Sequence, residues 1–427
     1  MKTRIIALLT SLIGVTHTVQ AESFNQAVQA ALDSHPEINA AKNQLSSREQ
    51  EIKGAKAGYL PSIDIALGIG RENTQSPTTG QNEVNLTREE ASISARQLIF
   101  DGFATRSEVR RQEARAASAS HSVNTSQELI ALRTSEVYLA LMAQVDLMKL
   151  AEASLEEHKS IYDQMVLRNQ SGVGSRADLD QIAARLALAN SNVVVADANL
   201  KDAVTNYYRV VGSMPNMTSL AMPGTAESLP ASLNDATELA LANHPTLKTA
   251  NADIDATIAQ HQAAKSSYYP DIRLEADQNW NEDIGGVVGE DERSVIAIRA
   301  RYNLYRGGAD KARRKQTSYL IEEAKDVRNN TRRQVVEGLR LSWTAFESVN
   351  AQLQYLQQHV NSAEATKKAY IEQFNIGRRT LLDLLNTENE VVDAKRNLIQ
   401  AAYNKKLAEL RVYNSMGVLL PKLGLAQ

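Results

Sequence analysis

The chain has 427 residues, with 47 Lys and Arg against 50 Asp and Glu, for a formal net charge of −3. That balance gives no reason to expect nucleic acid as a partner, and with no Cys the chain can form neither disulfides nor thiolate metal sites. Aromatics make up only 5%, and small or straight-chain side chains dominate, which suits long helices in close contact rather than an aromatic-rich core.

The N-terminus reads as a secretory signal over 1–21. Lys2 and Arg4 supply charge, Ile5 to Val15 is mainly apolar, and Val19-Gln20-Ala21 is a small-residue cleavage site before Glu22. The apolar run is shorter than the roughly 18 residues that a membrane-crossing helix needs, and no later stretch reaches that length. A cleaved signal without such a helix leaves periplasm, outer membrane or medium.

The remainder is written twice. His35-Pro36 recurs as His244-Pro245, and Tyr59-Leu60-Pro61 as Tyr268-Tyr269-Pro270. Leu98-Ile99-Phe100-Asp101-Gly102 recurs as Asn303-Leu304-Tyr305-Arg306-Gly307, Gly172 to Leu179 as Gly377 to Leu384, and Val211-Gly212 as Met416-Gly417. Landmarks in one order at a near-constant offset mark a tandem duplication. The expected organisation is a first repeat over 22–212, a linker over 213–232, a second repeat over 233–417 and a C-terminal tail over 418–427.

No Pro falls between Pro77 and Pro215, or between Pro270 and Pro421. Each gap can hold very long helices. The spacing predicts helices over Phe24–Lys56, Phe103–Ser171, a return from the Gly172-Val173-Gly174 turn to Val211, Leu233–Ser267, Ala309–Asn375 and Leu381–Ser415. Val335, Leu339, Phe346, Val349, Leu353, Leu356, Val360 and Ala363 follow three- and four-residue steps, with only Ser342 interrupting, so coiled-coil packing is expected.

Between short and long helices the period changes to two. Ile63, Ile65, Leu67 and Ile69 alternate with Asp64, Ala66, Gly68 and Gly70. Ile93 and Ile99 share one parity on the partner strand. Ile272, Leu274 and Ala276 alternate with charged residues, as do Ile296, Ile298 and Ala300 and, beyond them, Tyr302 and Leu304. This predicts two amphipathic hairpins, at about 59–100 and 269–305, with polar tips at Asn73–Gln81 and Asp283–Glu292 and strands long enough to cross a bilayer at a tilt. Tyr59, Phe100, Tyr269 and Tyr305, with Phe103, Tyr268 and Tyr302, fall at one end of these hairpins. They form either a membrane-interface girdle or ordinary packing corners. Four strands cannot close a barrel, and open edges are not tolerated in lipid, so other copies of the chain are required.

The doubled strand starts and exits, together with the turn motifs Asn169–Leu179 and Phe374–Leu385, resemble the TolC family of outer-membrane factors over essentially the whole mature chain. The resemblance implies a mainly helical homotrimer with membrane β-structure. Its twelve-stranded barrel, four strands per chain, continues into a long α-helical coiled-coil barrel in the periplasm. It further implies an outer-membrane duct partnered by a periplasmic adaptor and an inner-membrane transporter, with no cofactor. The turn residues Gly172, Val173, Gly174, Ser175, Gly377, Arg378 and Thr380 become an adaptor-contact tip. Arg379, Asp383, Asp178 and Phe374 become a periplasmic gate. Asn386 stands where the family has a further acidic residue, so only one full acidic ring is expected.

Gly70–Thr79 is similar to the first external loop of type I secretion members used for large adhesins, which favours protein cargo over small-molecule efflux. A periplasmic coiled-coil adaptor or tether would share the signal and helices but leaves four amphipathic strands unexplained. The seven His are scattered, without His-Glu-x-x-His or Gly-x-Ser-x-Gly spacing, so an enzyme is not expected. His35 and His244, each before Pro, are expected at helix boundaries.

Overall fold

A computed structural model of the chain describes residues 24–224 and 228–425. The expected signal over 1–21 and residues 225–227 of the expected linker lie outside the described residues. In chain order the elements are α1 (Phe24–Ser34), α2 (Pro36–Ala57), β1 (Ser62–Gln75), β2 (Glu83–Phe100), α3 (Ala104–Gln170), α4 (Arg176–Val211), α5 (Leu233–Asn243), α6 (Pro245–Ala263), β3 (Asp271–Glu282), β4 (Glu290–Arg301), α7 (Ala309–Asn375), α8 (Leu381–Ser415) and α9 (Leu419–Lys422). Both α3 and α7 have 67 residues, about 100 Å at 1.5 Å per residue. Among the described residues no helix is long and apolar enough to cross a membrane.

The expected single short helices are each two helices. Pro36 and Pro245 take the first helical turn of α2 and α6, where a missing N–H is harmless, and disfavour helical backbone in the preceding residue. His35 Nδ1 accepts the Glu37 N–H at 3.2 Å, and His244 Nδ1 accepts the Thr246 N–H at 3.3 Å. The doubled His-Pro is therefore a doubled N-cap, as expected of helix boundaries. Burial holds the His244 pKa below its ordinary value, which keeps the ring neutral and Nδ1 able to accept.

The chain divides into two compact units. One comprises, among the described residues, 24–33, 134–224 and 359–403. In it Phe24 packs edge-on against Tyr138 at 5.2 Å, and Tyr138 stands 6.4 Å from Tyr207. The Tyr138 hydroxyl donates to Ala221 O at 3.1 Å and accepts the Ala221 N–H at 3.0 Å, pinning the segment that leaves α4.

The other unit comprises residues 34–133, 228–358 and 404–425. The helical seam is buried or half-buried where the three- and four-residue steps place it, at Val335, Leu339, Phe346, Val349, Leu353 and Leu356 within this unit. The interrupting Ser342 shares a hydrogen bond with Ser415 at 3.0 Å, and its neighbour Trp343 is also buried. Glu128, buried, accepts the Leu419 and Leu420 N–H groups at 3.1 and 3.2 Å and so caps α9 in the expected tail.

This second unit holds the sheet, which is antiparallel in the order β1-β2-β3-β4. The strands run further than the alternation indicated. β1 reaches Gln75, and β4 starts at Glu290, so the loops are shorter than Asn73–Gln81 and Asp283–Glu292. β2 has 18 residues because its polar outer half pairs fully with β1. β4 ends at Arg301, leaving Tyr302 and Leu304 outside it. A bulge between Leu98 and Phe100 breaks the expected parity of Ile99 with Ile93. The extra residue brings Phe100, in place of Ile99, opposite Ile272.

Candidate functional site

The register gives the sheet two chemically distinct faces. One carries Ile63, Ile65, Leu67 and Ile69 on β1, Ala91, Ile93 and Ala95 on β2, Ile272, Leu274 and Ala276 on β3, and Ile296, Ile298 and Ala300 on β4. Leu67 and Ile296 are each 80% exposed, so this apolar face has no cover among the described residues. The opposite face carries ion pairs: Arg96 with Asp64 at 3.7 Å, Arg299 with Glu275 at 2.6 Å, and Arg88 with Glu72 at 3.1 Å. Among the described residues β1 and β4 are the edges, each with one side unpaired.

All four strands meet the helices at one end of the sheet. There Phe100, Phe103 and Tyr269 pack edge to face, with centroids 5.3, 6.0 and 6.2 Å apart. Gly102 has a positive φ, and a Cβ there would lie 2.6 Å from Ser266 O, so the strand exit requires glycine. Asp101 then caps α3, accepting the Thr105 N–H at 2.7 Å. The strand-exit motif is thus a helix start, and Phe100 and Tyr269 pack on each other beside it. Tyr59 and Tyr305 at the same end are exposed. Trp280, near the other end, donates its indole N–H to Glu292 at 3.0 Å.

The two helix turns lie in the first unit. Gly172 and Gly377 adopt positive φ values of 75° and 76°, which a side chain would resist, and each closes a long helix. After Gly172, the Val173 and Gly174 N–H groups donate to Arg168 O at 3.0 and 2.9 Å. Ser175 caps α4 by accepting the Asp178 N–H at 3.0 Å. Asp178's own carboxylate makes no ion pair or hydrogen bond among the described residues.

After Gly377, the Arg378 N–H donates to Gln373 O at 2.8 Å. Thr380 and Asp383 form a reciprocal capping box. Asp383 Oδ2 accepts the Thr380 N–H at 3.2 Å and the Thr380 hydroxyl at 2.9 Å, and Thr380 Oγ1 accepts the Asp383 N–H at 3.2 Å. Those bonds from Thr380, with a contribution from Arg379, hold the Asp383 pKa below the ordinary aspartate range.

Within the chain, the expected gate residues are not brought together as ion pairs. Arg379 donates to Gln373 Oε1 at 3.0 Å and stacks over Tyr370 at 4.2 Å rather than pairing with Asp383. Phe374 is buried with Ile161, Met165, Ile182, Leu381, Leu384 and Leu385, under the Arg168 guanidinium at 4.5 Å. Asn386 is exposed.

Sequence reasoning missed Arg168, Tyr370 and Gln373. It also missed a charged tie two turns further from the tip. Lys367 lies 2.5 Å from the buried Glu388 and 3.3 Å from Glu157. Burial alone would lower the Lys367 pKa, and the two carboxylates outweigh it and raise it. Tyr403 donates to Asp146 at 2.6 Å, and burial together with that bond pushes its phenol pKa up. Each partner lies on a different helix, so no local spacing could have announced them.

Residues 27–213 and 236–418 match the family model described as "Outer membrane efflux protein". The chain belongs to this family. Two similar proteins are the outer membrane efflux protein BepC of Brucella suis, 25% identical over 97% of this chain and 90% of its own, and the alkaline protease secretion protein AprF of Pseudomonas aeruginosa, 23% identical over 91% and 83%. A solved structure of the outer-membrane channel OprN has the same fold, with a TM-score of 0.79, 17% identity, and 92% of this chain and 90% of that one covered. As a member of the outer membrane efflux protein family, the chain is an outer-membrane channel protein of the efflux and secretion class, not an enzyme. The resemblance to the TolC family drawn from the turn and strand motifs agrees with this.

Proposed function

We propose that the chain is the exit duct of a tripartite export system, conducting cargo passively from an inner-membrane transporter and a periplasmic adaptor to the cell exterior. The observation that carries this reading is the sheet: a bilayer-length wall with one bare apolar face, one charged face and two unpaired edges. Such a wall is stable in lipid only when closed. Three copies supply twelve strands, within the range of known barrels, with the edge of β4 in one copy meeting that of β1 in the next. The apolar face then meets outer-membrane lipid, and the charged face lines the lumen. Tyr59, Phe100, Tyr269 and Tyr305 sit at the inner interface, and the long helices project into the periplasm.

The turns form the periplasmic tip, with Gly172–Ser175 and Gly377–Thr380 offered to the adaptor. In this reading the gate is closed by contacts between copies. Asp178, whose carboxylate has no partner among the described residues, is the natural acceptor for Arg379 of a neighbouring helix pair. Phe374 anchors the turn from beneath, and three copies of Asp383 concentrate negative potential at the entrance.

For cargo, the similarity of Gly70–Thr79 to the external loop of type I secretion members favours a polypeptide, in keeping with AprF's name. Small-molecule efflux is the second reading, favoured by the family's description and BepC's name. Deleting the gene separates them. The expected result is loss of a polypeptide from the medium with unchanged drug susceptibility. Raised susceptibility with an intact set of secreted proteins would reverse the assignment. The duct itself requires a heat-modifiable oligomer that extracts from outer membranes and conducts ions in planar bilayers, and a water-soluble monomer would end it.

A further inference from the structure

The lumen-facing side of the first hairpin carries an arrangement that neither folding nor lipid contact requires. Its two glycines, Gly68 and Gly70, alternate with the lipid-facing Leu67 and Ile69, so both point to the charged face. Glycine in a strand interior weakens the strand and often marks a place where something must approach the backbone closely. Here the approaching groups are charged side chains from β2. A Cβ on Gly68 would lie 3.3 Å from Glu90 Oε2 and 3.8 Å from its Cβ, and one on Gly70 would lie 3.7 Å from Arg88 Cγ. Arg88 and Glu90 therefore lie along the wall over the two glycines. Arg88 ties the row together, contacting Glu90 through one guanidinium nitrogen and Glu72 through the other at 3.1 Å, while Thr74 donates to the far oxygen of Glu72.

We propose that this ladder, Glu72-Arg88-Glu90 seated on Gly68 and Gly70, sets both the bore and the charge of the outer half of the duct. The glycines let long side chains lie flat, so a wide or side-chain-rich polypeptide meets a low-relief wall. Arg88 pairs with two carboxylates and offsets half of the negative charge that would otherwise project into the lumen and favour cations. Gly68, Gly70 and Arg88 are specificity-determining residues for what passes. The inference rests on the proposed duct, because it needs the charged face to line a lumen.

The test uses the absence of native Cys. Ser94 lies on the same face, opposite Asp64 and Asp277, nearer the helices than the ladder. A Ser94→Cys reporter in intact cells is labelled from outside with a small neutral maleimide or with a bulky polyethylene-glycol maleimide. With Gly68→Val and Gly70→Val added, the small reagent reacts at an unchanged rate and the bulky one several-fold more slowly. Equal rates for the bulky reagent in both backgrounds overturn the bore assignment. Assembly is checked by the heat-modifiable oligomer. If the valine variant fails that check, Arg88→Gln decides: a cationic maleimide gains several-fold over the neutral one, and no gain overturns the proposal. Failure of the small reagent to reach the reporter in the otherwise native chain is a different result. It means that the charged face lines no lumen, so the duct reading falls and takes this inference with it.

Discussion

The two helix turns descend from one ancestral turn and now do different work. The first is built for backbone economy. Its glycine is followed by Val173 and Gly174, both folded back on Arg168 O, and one serine caps the next helix. The second is built for side-chain contacts. Phe374 occupies the place of Asn169 and fills a core cluster, Arg379 occupies the place of Gly174 and stacks over Tyr370, and Thr380 and Asp383 cap each other. The backbone hardly differs between them, with matching positive φ at Gly172 and Gly377. Duplication thus preserves the turn and leaves its chemistry free to diverge, so one turn can be anchored while the other stays bare.

The sharpest way to break this comparison is Phe374→Ala. Emptying a core aromatic position costs about 3–5 kcal/mol, so amide exchange at Leu384 and Leu385 should rise steeply. Asn169→Ala, at the equivalent place, removes one hydrogen bond of 3.4 Å and should leave exchange in α4 nearly unchanged. Comparable effects from the two substitutions would erase the asymmetry.

Next in size are the caps. Thr380→Val removes both directions of a reciprocal pair and should cost about 1–2 kcal/mol of local stability at the start of α8. Ser175→Ala removes one bond and should cost about 0.5–1 kcal/mol at the start of α4. Exchange of the first-turn amides of each helix reads the difference.

Acid sharpens it further. A carboxylate whose folded pKa is depressed contributes stability above its unfolded pKa and loses it as pH falls through the folded value. Asp383 is such a group, so the start of α8 should loosen below the ordinary aspartate range. Asp383→Asn should flatten that dependence in an exchange series run to low pH.

The smallest effect on stability is expected from Arg379→Ala, since the side chain is exposed and its loss falls within about 0.5 kcal/mol. In planar bilayers the same variant should raise conductance, and in cells it should raise sensitivity to large antibiotics. Unchanged conductance would remove Arg379 from the gate.

Much of the fold was legible because it is periodic. Proline-free gaps left room for α3 and α7, and the repeated glycine landmarks placed their ends to within a residue or so. Alternation found all four strands. It misjudged their ends, because the pairing of Glu83–Glu90 with β1 depends on the partner rather than on hydrophobicity. Proline also explains the split of each expected short helix, since Pro36 and Pro245 each open a new one. The turn itself was legible from its glycines, and the gate and adaptor roles expected of its residues came only from the resemblance to the TolC family. Periodicity alone would have read Arg379 and Asp383 as solvated charges.

By itself the sequence determined the duplication, the helices, the two-faced strands and the need for further copies, because each follows from local spacing or from the intolerance of lipid for open backbone. Only tertiary structure decided which side chains meet. Lys367 reaches Glu388 across two helices, Glu128 caps a helix nearly three hundred residues downstream, and a bulge turns Phe100 toward the apolar face. Such contacts depend on distances between elements far apart in the chain, and no period in the sequence encodes them.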